Sequence, residues 1–179
     1  ILLHLAMRFQ GRGLWVRPFT KAQEAKNGAD WEFWFAQGSE AIGLRVQAKR
    51  LFPSGEYSSL HLTSSQTQNL INKSGLCHPA FVFYNDSRAY IVSEPSCYCG
   101  YYGPSYRGCT LASARVVRSQ GKNDADSIAK VAIPWHCLLC SWISPADTVL
   151  PQKVASSLSR LINVERYQKR GGTRQLTTG

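Results

Sequence analysis

Acidic side chains are scarce in this chain of 179 residues: 11 Asp and Glu stand against 21 Lys and Arg, for a formal net charge of +10. Positive excess on a small domain points to a polyanionic partner, most often nucleic acid, the plain alternative being a charge that only aids solubility. Long apolar runs are missing too. No stretch reaches the about 18 apolar residues that a spanning helix needs, so no membrane partner is expected. The apolar start from Ile1 to Ala6 has neither a basic lead nor a cleavage site, so it does not read as a secretory leader. It also lacks an initiator Met, which leaves room for a few residues in front. The 6 cysteines are too few for a disulfide scaffold of this length. A reduced, cytoplasmic protein is the expectation.

What is present suits one globular domain. Hydrophobic residues make up 44% of the chain, with 5 Trp, 8 Tyr and 7 Phe, which excludes general disorder. Residues 1–10 have helical spacing, and Gly11 and Gly13 can end that helix. Residues 14–19 are a short apolar piece, and 20–28 read as a polar turn or loop that holds Glu24. Residues 30–36 and 41–50 read as two strands around a short Gly-containing turn, hence a β-hairpin. The spacing predicts a helix over 64–74, capped by Thr63 or Ser64 and stopped by Gly75. Residues 80–84 and 89–92 are two more strands, 95–110 a Tyr- and Cys-rich loop, and 121–128 a polar loop. A helix is expected from Pro134 to Trp142 and an amphipathic one over 151–166. The sum is a single mixed α/β domain over residues 1–168, with a basic, mobile tail at 169–179.

Strand parity concentrates the chemistry in the hairpin. Trp31, Phe33 and Phe35 share one face of the first strand, and Asp30, Glu32 and Trp34 share the other. On the second strand Leu44, Val46 and Ala48 oppose Arg45, Gln47 and Lys49. A symmetric turn pairs position 36 with 41, which sets Asp30 beside Gln47, with Lys49 one step along, and Glu32 beside Arg45 as an ion pair. A carboxylate and an amide oxygen are hard donors that suit Mg²⁺ or Mn²⁺. A bound metal polarises a phosphate and acidifies a water, and Lys49 can orient that water or stabilise charge on the phosphate. Glu24, six residues before Asp30, can add a second carboxylate. The plain alternative is a solvent-facing polar strand surface with no chemistry.

Asp30 followed by Gln47-Ala-Lys49 on the second strand of a hairpin resembles the PD-(D/E)xK nuclease superfamily, in the variant where Gln replaces the second acid. The segments around Gly28-Ala-Asp30-Trp-Glu-Phe and Val46-Gln-Ala-Lys-Arg-Leu are also similar to an uncharacterised bacterial domain family associated with it. The resemblance implies a restriction-endonuclease-like fold, a mixed β-sheet flanked by helices. It implies Asp30 and Gln47 as metal ligands with Glu24 from a preceding helix, Lys49 as the catalytic lysine, and DNA rather than RNA as substrate. It further implies an anti-phage effector that waits on a protein partner or activator, and that can act as a homo-oligomer. Ala29 stands where the motif has Pro, and Gln47 removes one negative charge from the metal site, which gives Glu24 more weight.

A second reading is a non-catalytic nucleic-acid-binding module with a structural zinc. Cys97, Cys99, Cys109, Cys137 and Cys140 have paired spacings that can supply tetrahedral Zn²⁺ ligands, although free cysteines are commonly small buried hydrophobes. Arg45, Arg50, Gln68, Tyr102 and Arg107 are the candidate nucleic-acid contacts, the last two from the aromatic loop on which bases can stack.

Overall fold

The computed structural model describes residues 13–85 and 108–138, together with Val154. Its strands are β1 (Leu14–Pro18), β2 (Trp31–Gln37), β3 (Glu40–Arg50), β4 (Cys77–Tyr84), β5 (Cys109–Ser113) and β6 (Ile133–Pro134). The helices are α1 (Lys21–Asn27), α2 (Ser65–Asn72), α3 (Ala114–Gln120) and α4 (Ala125–Ala129), and a 3₁₀ turn follows at Trp135–Leu138. The fold is mixed α/β. Six strands lie side by side in chain order, all neighbours antiparallel except the central parallel pair β3–β4.

The hairpin forms in the expected register. Trp31 faces Val46, Glu32 faces Arg45 and Ala36 faces Ala41. Its turn is Gly38-Ser39, where Gly38 takes a positive φ. Alternation then sends Trp31, Phe33, Phe35, Leu44 and Val46 to one core, which also holds Val82, Leu111 and Ile133 and is covered by Cys137, Leu138 and Val154. The opposite face is not open to water. Phe81, Phe83 and Ala112 build a second core there against Leu70 and Ile71 of α2, Val116 and Val117 of α3, and Ile128 of α4. The polar hairpin face therefore lies under helices, and the solvent-facing alternative fails for it: Gln47 is 1% exposed, Glu32 3% and Lys49 7%.

Several elements differ from the sequence expectation. Residues 20–28 are not a loop. Thr20 and Gln23 form a reciprocal capping box, and Gly28 closes α1 in the left-handed conformation at φ 75°. Local backbone hydrogen bonding outweighs the lack of an apolar stripe, since α1 buries no residue of its own. Residues 121–128 include α4, whose N-terminus is capped by Asp124 accepting from Ser127 N–H. Cys109 lies in β5 rather than in a loop, and the segment from Pro134 is a strand end followed by a 3₁₀ turn. The helix over 64–74 is α2, entered at Ser64, whose hydroxyl accepts from Thr67 N–H. The expected helix over 1–10, the strand at 89–92, most of the 95–110 loop, the 151–166 helix apart from buried Val154, and the tail at 169–179 lie outside the described residues.

Candidate functional site

Asp30, Gln47 and Lys49 are brought together where β2 begins beside the middle of β3. The ladder stops one residue short of the expected Asp30–Gln47 pair. Asp30 N–H donates to Val46 O at 2.8 Å, and Ala48 N–H donates to Asp30 Oδ2 at 2.6 Å. The carboxylate thus replaces the next rung of the sheet and is fixed against β3. Phe19 N–H donates to Asp30 O at 2.9 Å, which ties β1 to the same point.

Gln47 and Lys49 leave β3 on the second-core face, beside Phe81 and Phe83 of β4. Lys49 Nζ donates to Ser59 O at 2.9 Å, so the loop between β3 and α2 aims the ammonium. Neither Gln47 Oε1 nor Gln47 Nε2 has a hydrogen-bond partner, although both atoms are fully enclosed. An unsatisfied buried amide costs about 1–3 kcal/mol, which makes it an expensive residue to keep without a ligand.

Charge in the site is mutually adjusted. Burial raises the Asp30 carboxyl above its ordinary value, and Glu24 adds repulsion, while the Ala48 N–H and Lys49 pull it back. Burial lowers the Lys49 ammonium, and Asp30 opposes that shift. Glu24 sits half-buried on α1, close enough to repel Asp30. Two carboxylates and an unpartnered amide oxygen form a donor set of hard oxygens, which fits a small divalent cation. Among the described residues no three His, Cys, Asp or Glu side chains gather as metal ligands. Gln47, an amide rather than an acid, falls outside that count.

Beside the site lies a separate buried knot. Arg45 donates twice to Glu32 and once to Lys73 O. Glu32 also receives Trp34 Nε1–H at 3.3 Å and lies 4.0 Å from Arg17. Glu32 is therefore the partner of Arg45, and Arg45 is engaged inside the protein rather than presented to a phosphate. Arg50 is exposed at the end of β3. Gln68 is exposed on α2, where its amide donates to Thr63 O at 3.1 Å. Tyr102 and Arg107 lie outside the described residues.

The zinc ligands divide the same way. Cys97, Cys99 and Cys140 lie outside the described residues. Cys137 is buried in the first core and Cys109 packs against it. Burial pushes the Cys109 thiol up to about 11. Cys77 is pushed up to about 12 by burial and by Glu32, which suits an inert thiol. The holding of Lys49 by a loop carbonyl had no sequence signal, because any residue can supply a backbone oxygen.

A family model described as a family of unknown function, DUF6615, matches residues 1–176. The chain belongs to that family. A search of the curated proteins finds no match. The DUF6615 description carries no activity, so the chemistry rests on the site itself.

Proposed function

We propose that this chain is a divalent-metal-dependent nuclease of the PD-(D/E)xK type that hydrolyses phosphodiester bonds in DNA. The observation that carries the reading is the Gln47 amide, buried without a partner on the same face as Asp30 and Lys49. A bound cation would give the enclosed Gln47 Oε1 the partner that the folded chain does not supply. Asp30 and Gln47, with Glu24 from α1, would hold Mg²⁺ or Mn²⁺. When bound, that ion supplies phosphate polarisation and an acidified water.

The remaining work belongs to the chain. Ala48 N–H fixes one oxygen of Asp30 and leaves the other for the ligand. The lowered Lys49 is a mobile proton donor to a developing oxyanion, and Ser59 O keeps it aimed while the site is idle. The burial of Lys49 and Gln47 keeps bulk water from competing. The net charge of +10 supports attraction to a polyanion.

The test is cleavage of plasmid, linear duplex, single-stranded DNA and RNA in Mg²⁺, Mn²⁺ or EDTA. Metal-dependent cutting should fall by about 100-fold or more in Asp30→Ala and in Lys49→Ala. Cutting that survives both changes would remove the site. Tight binding with no cutting in any metal would favour a non-catalytic nucleic-acid-binding module.

A further inference from the structure

Trp15 is 53% exposed at the middle of β1, the edge strand of the described sheet. Its direct cross-strand partner is Trp34, which is half-buried. No ring contact is made by either indole among the described residues. Trp34 is held in place from two sides. Its Nε1–H donates to Glu32, and its ring lies over Gly43, where a Cβ would come within 3.0 Å of it. Such rigidity is what a stacking surface needs, because little side-chain freedom remains to be lost on binding.

The surroundings are basic. Arg17, two residues along β1 on the same face, exposes 66% of its side chain and lies over Phe19 at 5.5 Å. The exposed Lys73 bonds Lys26 O at 2.9 Å, beside the Arg45 anchor. The acid at the centre, Glu32, is buried and neutralised by Arg45. An exposed indole beside a half-buried one, flanked by the exposed Arg17 and Lys73 with Glu32 as the one buried acid between two arginines, matches bases and phosphates rather than an apolar protein face.

We propose that Trp15 and Trp34, with Arg17, form a stacking platform for an unpaired base of a DNA strand. It rests on the nuclease reading for the choice of DNA and for the site to which the strand is presented, but not for the platform itself. Trp34 is four residues along β2 from Asp30, so the platform lies about 13 Å from the candidate site at the rise of a strand. That separation equals about four steps of a stacked strand. The substrate is therefore a DNA with a single-stranded segment, gripped by its bases at one end of the hairpin and presented to Asp30 and Lys49 at the other.

The test is fluorescence anisotropy with labelled oligo(dT) and a blunt duplex of equal length, both in EDTA so that no cutting intervenes. Trp15→Ala should weaken oligo(dT) binding by about 10-fold, Trp15→Tyr by much less, and duplex binding should not change. Arg17→Ala should weaken both ligands, since it removes a phosphate contact. The proposal is overturned if Trp15→Ala binds oligo(dT) like wild type, or if single strand and duplex lose affinity alike. Trp15-dependent binding by a protein that cuts nothing would instead overturn the nuclease and leave the platform.

Discussion

Gln47 carries an amide that the folded chain gives nothing to bind, and this has a measurable sign. Replacing it with Leu removes the unsatisfied polar atoms at similar volume. In EDTA, Gln47→Leu should stabilise the protein by about 1–3 kcal/mol, seen as a higher melting temperature. If Gln47 holds Mg²⁺ as proposed, the wild type should gain stability on adding Mg²⁺ and Gln47→Leu should not, by ligand linkage. A structural glutamine would give the reverse, a loss of stability with no change in the metal response. Asp30 makes a related prediction through pH. Burial raises its carboxyl above 3.8, so the folded state binds that proton more tightly than the unfolded one. Stability from this group is therefore lost as pH rises from 3.8 through the raised value. Asp30→Asn keeps the acceptor for Ala48 N–H but cannot ionise. Calorimetry should find it more heat-stable than wild type at neutral pH in EDTA, with the difference closing as pH falls toward 3.8. A difference that ignores pH would mean that charge is not its cause.

At the scale of elements, α1 matters because it positions Glu24 and ends three residues before Asp30. Gly28 is the joint. It adopts φ 75°, and a Cβ there would collide with Gln66 O and Leu70 N of α2. Gly28→Ala should cost more than the about 1 kcal/mol of a left-handed alanine alone, measured by urea unfolding, and should weaken activation by Mg²⁺ together with stability. A cost no larger than that would show that α1 can move away from α2 freely. The same helix marks where sequence reading stopped. The hairpin register was legible because β-strand alternation is strict and Gly38-Ser39 fixes the pairing. The helix α2 was legible because Ser64, Leu70, Ile71 and Gly75 punctuate it. The helix α1 was not, because its signals are the Thr20–Gln23 box and the Gly28 cap, with no apolar face between them. The helix α4, of five residues, was hidden in the same way behind its Asp124 cap.

At the scale of the whole molecule, the missing piece was the second layer. Parity puts Asp30, Gln47 and Lys49 on one face, but nothing in the hairpin itself says that α2, α3 and α4 will close over it. That burial depends on Phe81 and Phe83 of β4, more than thirty residues downstream of Gln47. It converts a polar strand surface into a low-dielectric chamber in which the Asp30 and Lys49 shifts arise. The sheet order has a further consequence. Because every described strand lies next to its neighbour in sequence, no pairing in the described sheet joins strands that are distant in chain order. The ribbon of β2 and β3 aligns Asp30, Gln47 and Lys49 through pairing that is local in sequence, whereas β4 and the helices α2, α3 and α4 that enclose them come later in the chain. Position and enclosure are thus encoded by separate parts of the chain: local pairing sets which side chains stand together, and distant packing sets how dry they are.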